Sequence, residues 1–220
     1  MKNIHPIKKW SAGIFLISIN IAAANAATIW TDWTSATVGT NGTAVGLLGS
    51  TNVNYNGQLI GAVTNGTTTV WNPSTSYLGG SVDVTPDSVG DLLGISQSTG
   101  TITFSSPVLN PVIAFWSLGA PGSSASFVFN QNPALQSGGP NTIYGGSSIY
   151  VVGNTVFGNE GNGVVMFQGT FSSLSWTSSP EYWYGITVGT ASPVPVPAAI
   201  WLFASGILGL TGLSKFKRKR

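Results

Sequence analysis

Ile149-Tyr150-Val151-Val152-Gly153-Asn154-Thr155-Val156-Phe157 is two short β-branched and aromatic runs on either side of a Gly-Asn pair. Gly-Asn suits a primed two-residue turn, so the stretch predicts a β-hairpin. The same pattern recurs on both sides. Pro111-Val112-Ile113-Ala114-Phe115-Trp116 is apolar at successive positions and predicts a strand buried on both faces. About a dozen runs of this kind, Thr67–Trp71 among them, extend from Ile29–Thr34 to Tyr184–Val188 between Gly, Pro and Asn. Long helix-period stretches are absent from this region. One short helix is expected at Thr85-Pro86-Asp87-Ser88, where a hydroxyl can cap and Pro sits at the first helical position. Val89, Leu92 and Leu93 would form its buried side and Gly94 would end it. No fixed-period repeat is visible, which sets aside propellers and solenoids. Residues 27–191 therefore read as an all-β, two-sheet sandwich of jelly-roll type carrying one short helix.

Charge is scarce and segregated. Charged residues make up 6% of the 220, and there is no cysteine. All eight basic residues lie near the ends, and all six acids (Asp32, Asp83, Asp87, Asp91, Glu160, Glu181) lie between them. From Thr28 to Ser214 the side chains sum to −6 with no Lys, Arg or His. Nothing in the body can neutralise phosphates, so nucleic acid is excluded as a partner. Without cysteine there are no disulfides, thiol nucleophiles or thiolate metal sites.

The two ends read as addresses. Lys2, Lys8 and Lys9 precede a mostly apolar run, Ala12–Ala24, and Ala24-Asn25-Ala26 forms an A-x-A cleavage site. Residues 1–26 are thus expected to be a signal peptide, handled by the secretion translocon and signal peptidase, with a mature start at Ala27. At the other end, residues 192–197 are Pro-rich and extended. Residues 198–214 are uncharged and fit a single transmembrane helix. Its sixteen residues to Leu213 rise ~24 Å against a hydrocarbon core of ~30 Å. Lys215, Lys217, Arg218, Lys219 and Arg220 then supply a positive-inside stop in a cytoplasmic tail, residues 215–220.

This C-terminus resembles the PEP-CTERM sorting signal of bacterial envelope proteins. Three parts in fixed order carry the likeness. They are the proline motif Val194-Pro195-Val196-Pro197, the apolar pattern around Trp201, Leu202, Phe203, Ser205, Gly206 and Gly209, and the basic tail. Val196 stands where the family has Glu. The resemblance implies recognition by an exosortase, often alongside exopolysaccharide production. It implies an inner-membrane-anchored intermediate, then release to the cell envelope or extracellular matrix. The body also resembles an all-β module that accompanies this signal elsewhere, through Ile102–Val108 and Phe171–Trp176. No activity is assigned to that module.

Catalysis can be approached by subtraction. Triads and phosphoryl transfer lack their His, Cys, Lys and Arg parts. Two carboxylates suffice for a glycosidase, and Glu160 and Glu181 are the candidates, although isolated glutamates in turns read first as solvated loop residues. Asp83, Asp87 and Asp91 are spaced four apart and would share a helix face, yet no calcium-loop spacing follows, and Asp87 reads as serving the helix N-terminus. Gly158–Gly163 reads as a hairpin loop rather than a phosphate loop. No cofactor or metal is expected. Among the aromatics, Trp176 and Tyr184 read as core, which leaves Glu181, Tyr182 and Trp183 as candidate sugar contacts, rings beside a carboxylate. The leading expectation is a non-enzymatic surface or biofilm-matrix protein. A carbohydrate-binding module for exopolysaccharide comes second, and a two-carboxylate glycoside hydrolase third.

Overall fold

The computed structural model describes residues 28–97 and 99–191, all within one compact unit. The expected signal cleavage site, proline motif, transmembrane helix and basic tail lie outside the described residues. No helix among the described residues is long and apolar enough to cross a membrane.

The chain is all-β. It begins with β1 (Thr28–Trp30), β2 (Asp32–Thr37), β3 (Gly39–Leu48), β4 (Thr51–Leu59) and β5 (Gly61–Val63). A long crossing segment then leads to β6 (Leu92–Ile95), β7 (Thr99–Leu109), β8 (Pro111–Leu118), β9 (Ala125–Phe129) and β10 (Ala134–Pro140). The last five are β11 (Tyr150–Val152), β12 (Thr155–Gly158), β13 (Gly161–Met166), β14 (Thr170–Ser178) and β15 (Tyr184–Ala191). They form two antiparallel sheets. A seven-stranded sheet runs β10-β13-β8-β15-β6-β5, with β1 also on β15, and an eight-stranded sheet runs β11-β12-β9-β14-β7-β4-β3-β2. From β6 to β9, and again from β12 to β15, every connection passes from one sheet to the other.

Side-chain period explains the layers. Strands of the eight-stranded sheet alternate buried and exposed, as in β3 and β4, because one face meets the core and the other meets water. Their inward residues, among them Trp33, Tyr55, Ile102, Phe127 and Leu174, share one core with Leu93, Phe115, Val165, Ile186 and others from the seven-stranded sheet. Each such side chain contributes about 1.5–3 kcal/mol by leaving water. The seven-stranded sheet is covered on its second face as well. Trp71, Tyr77 and Val82 from the crossing segment pack there on Val112, Ala114, Trp116, Val164 and Met166. That second layer is why every residue of β8 is buried, as the apolar run predicts.

The Tyr150–Phe157 hairpin forms, with Val152 paired to Thr155 across Gly153-Asn154. Three other expectations are corrected. Thr67–Trp71 is not a strand: it lies across the outer face of the seven-stranded sheet and buries Trp71, whose Nε1 donates to the Asp91 carbonyl at 3.2 Å. The short helix shrinks to a single 3₁₀ turn, Pro86–Ser88. Leu92, Leu93 and Gly94 belong to β6 instead, because pairing with β15 and β5 satisfies their backbone where a lone helix turn could not. Gly158–Gly163 is not a hairpin loop either. Gly158 ends β12, Gly161 starts β13, and Asn159-Glu160 carries the chain between sheets.

With the helix gone, the three aspartates share no face. The Asp83 carboxylate accepts Thr28 N–H at 2.8 Å, and Thr28 Oγ1 accepts Asp83 N–H at 3.1 Å. Asp91 is 2% exposed, and its oxygens accept the N–H groups of Trp33 at 2.7 Å and Gly66 at 2.8 Å. Asp87 stays in the first turn of the 3₁₀ segment, where burial pushes its carboxyl above the ordinary value. Among the described residues no three His, Cys, Asp or Glu side chains are grouped to hold a metal ion.

Candidate functional site

The two glutamates of the body reach the same cleft from different connections. Glu181 lies between β14 and β15, where its N–H donates to the Ser96 carbonyl at 2.8 Å. Glu160 lies in the two-residue link from β12 to β13. Both line a cleft of about 360 Å³, together with Trp116, Ser117, Tyr144, Tyr182 and Trp183.

The end of β8 builds the floor. Ser117 has φ of +57° and Glu160 has φ of +52°, both in the left-handed region that side chains other than glycine seldom occupy. The two residues are bonded to each other: Ser117 Oγ donates to the Glu160 carboxylate. Ser117 N–H donates to the Asn162 side-chain oxygen at 2.9 Å, and Asn162 Nδ2 donates to the Asn72 carbonyl at 3.2 Å. This network fixes Glu160, which is 7% exposed, against the sheet. The expectation of a solvated loop glutamate is therefore corrected for Glu160. The chain enters the next sheet there, so the link has no outward face.

Glu181 is half-buried, and Gly119 N–H donates to its Oε2 at 2.8 Å. Burial is the largest influence on its carboxyl. The Gly119 bond opposes it, the neighbouring Glu160 charge reinforces it, and the result is pushed up to about 7. No described residue is Lys, Arg or His, so no side-chain cation offsets the shift.

Aromatic rings form the walls. Trp183 and Trp116 meet edge to face, with centroids 4.7 Å apart and planes at 78°, and Tyr144 meets Trp116 at 6.1 Å and 60°. Trp183 lies over Gly94 of β6, where an added Cβ would come within 2.6 Å of its Nε1. A glycine there is what lets the indole lie down on the sheet. Tyr144 is held by a turn in which Asn141 Oδ1 accepts the N–H groups of Ile143 and Tyr144 at 2.8 and 3.2 Å. Tyr182 is 96% exposed.

Glu181, Tyr182 and Trp183, singled out from the sequence, thus border one cleft, and Glu160 joins them. Trp176 and Tyr184 instead lie in the core between the sheets. Sequence reasoning missed Trp116, Ser117, Gly119 and Tyr144. Trp116 was legible only as a core residue of β8. No sequence signal marks a serine at positive φ. Chemically, the cleft offers ring faces for stacking, two carboxylates as acceptors, and one carboxyl poised to be either protonated or ionised near neutrality. No family model matches the chain, and neither does any curated protein or solved structure.

Proposed function

We propose that this chain is an exported cell-envelope or extracellular-matrix protein whose β domain binds carbohydrate and performs no catalysis. The observation that carries the binding reading is the cleft of Trp116, Trp183, Tyr144 and Tyr182 around Glu181. Ring faces stack on sugar C–H surfaces, while carboxylates orient hydroxyls or amines. Support for export and sorting comes from the sequence: the A-x-A site at Ala24–Ala26, the PEP-CTERM-like Val194–Pro197 motif, the apolar 198–214 segment and the basic tail. The partners in this reading are the translocon, signal peptidase, an exosortase, the membrane as a transient anchor, and exopolysaccharide. The jelly-roll form of the sandwich is supported by the repeated sheet-to-sheet crossings of β6–β9 and β12–β15.

The test is a glycan array probed with the full-length chain. Binding that Tyr182→Ala weakens without lowering the melting temperature, and that Trp183→Ala abolishes, is the expected result. Mass spectrometry of the exported product should find Ala27 at its start and no Lys215–Arg220 peptide. A second reading, a two-carboxylate glycoside hydrolase, is favoured by Glu160 and Glu181 sharing the cleft with one carboxyl near 7, as a general acid requires. Against it, the Glu160 carboxylate is already engaged by Ser117. Glycoside hydrolysis that disappears in Glu181→Gln would establish the enzyme.

A further inference from the structure

We propose that the cleft selects a cationic ligand, an amino sugar whose ammonium lies between the aromatic walls and the carboxylates of Glu160 and Glu181, over the neutral sugar of the same shape. This deepens the carbohydrate reading and rests on it.

The argument starts from what the cleft can offer a polar group. A neutral sugar hydroxyl both donates and accepts. The phenols of Tyr144 and Tyr182 can both donate and accept, and the indoles of Trp116 and Trp183 only donate, so a neutral hydroxyl is not itself refused. What the cleft adds is two carboxylates, while the Ser117 hydroxyl proton is committed to Glu160 and the Gly119 N–H to Glu181. An ammonium brings three donors and a full charge, so it complements those carboxylates in a way a hydroxyl cannot.

Charge points the same way. No Lys, Arg or His lies anywhere from Thr28 to Ser214, so two acids in a part-buried cleft have no internal counter-ion. The rings of Trp183 and Tyr144 also line the cleft, and an aromatic face attracts a cation while doing little for a neutral hydroxyl. The titratable groups sharing the cleft with Glu181 are the Glu160 carboxylate and the Tyr144 and Tyr182 phenols, and Tyr184 interacts with it from the core. None of them is positive. An incoming ammonium therefore stabilises the ionised carboxyl, and Glu181 releases a proton as the ligand binds.

The test compares three oligomers of equal length on the full-length chain: glucosamine, N-acetylglucosamine, and N,N,N-trimethylglucosamine, which keeps its charge at every pH. At pH 6.5 the glucosamine oligomer should bind about tenfold or more tighter than the acetylated one. That preference should fall several-fold in Glu181→Gln, which keeps the shape and the bond from Gly119. Affinity for the trimethylated oligomer should rise from pH 5.5 to pH 8, as Glu181 ionises. Equal affinities, or a preference for the acetylated oligomer, would overturn the charge selection and leave carbohydrate binding intact. A preference undiminished in Glu181→Gln would also overturn it, because the carboxylate at the centre of the cleft would then take no part in the selection. Binding of no oligomer at all would take the carbohydrate reading down with it.

Discussion

Two carboxylates show how one chemical group does opposite work in different surroundings. Asp91 has each oxygen occupied by a backbone N–H, from Trp33 and Gly66, and so ties β2 to the crossing segment. Burial raises its carboxyl while those two bonds lower it, and the upward effect is larger. Replacing it by alanine orphans two N–H groups at roughly 1–3 kcal/mol each. Asp91→Ala should therefore cost about 2–6 kcal/mol in denaturant unfolding. Glu181 is held by one bond and carries a carboxyl near 7. A carboxyl raised on folding binds its proton more tightly in the native state. Its contribution is fully present below the unfolded value, near 4.5, and is lost as pH rises through about 7. Glu181→Gln removes that loss. The variant should match the parent near pH 4 and exceed it by about 1–2 kcal/mol at pH 8, a figure reduced for the solvent that reaches the group. Melting curves at the two pH values check this, and a parent equally stable at both would refute it.

At the scale of the element, β8 carries the main lesson. Its alternation sends Ile113 and Phe115 into the core between the sheets and Val112, Ala114 and Trp116 into the second layer. Strict alternation would place Leu118 with Trp116, yet Leu118 lies in the inter-sheet core. The positive φ of Ser117 accounts for the reversal, and the matching bulge appears where β13 pairs with β8. One backbone irregularity thus ends the strand's period and aims Ser117 at Glu160. The central strand and the 149–157 hairpin were legible because local pattern determines both. The cleft was legible only in part, because Glu160 and Glu181 are brought together by sheet crossings that no local pattern records. Thr67–Trp71 misled for a related reason: its β-forming residues are overridden by a tryptophan needed to cover an outer face. The hairpin offers a clean test of local cause. Gly153 has φ of +60° and nothing within 4 Å of an added Cβ, so Gly153→Ala should cost only the left-handed penalty, about 1–2 kcal/mol. Gly94→Ala differs, since its added methyl displaces the Trp183 indole. There the expected signs are a shifted tryptophan emission and weakened ligand binding.

The whole molecule is governed by how few charges it has. A typical domain turns cationic in acid because its lysines and arginines remain charged. Residues 27–191 hold six carboxylates and no side-chain cation, so in acid they turn nearly neutral. At pH 7 the side-chain charge lies between −5 and −6, because Glu181 is about half ionised. That modest repulsion is opposed by an apolar corner on the outer face of the eight-stranded sheet. There the edge strand β11 exposes Tyr150 and Val152, and Val152 is 62% exposed. Its row continues through Thr155 to Val128 on β9, which is exposed as well. No lysine guards this edge, and lysine is the usual device against edge-to-edge pairing. A chain trimmed to residues 27–191 should therefore stay monomeric at pH 7 and self-associate below about pH 4, the carboxylate range. Stability and solubility would then move in opposite directions in acid, since protonating Glu181 favours the native state while removing repulsion between molecules. Association should accordingly involve folded chains. Light scattering alongside near-ultraviolet circular dichroism would show particle growth with native aromatic signals intact. Val152→Lys should suppress the growth, because it places a charge that acid does not remove on the exposed edge. Particle size unchanged from pH 7 to pH 3 would refute the charge argument, and growth unaffected by Val152→Lys would move the contact to a different edge.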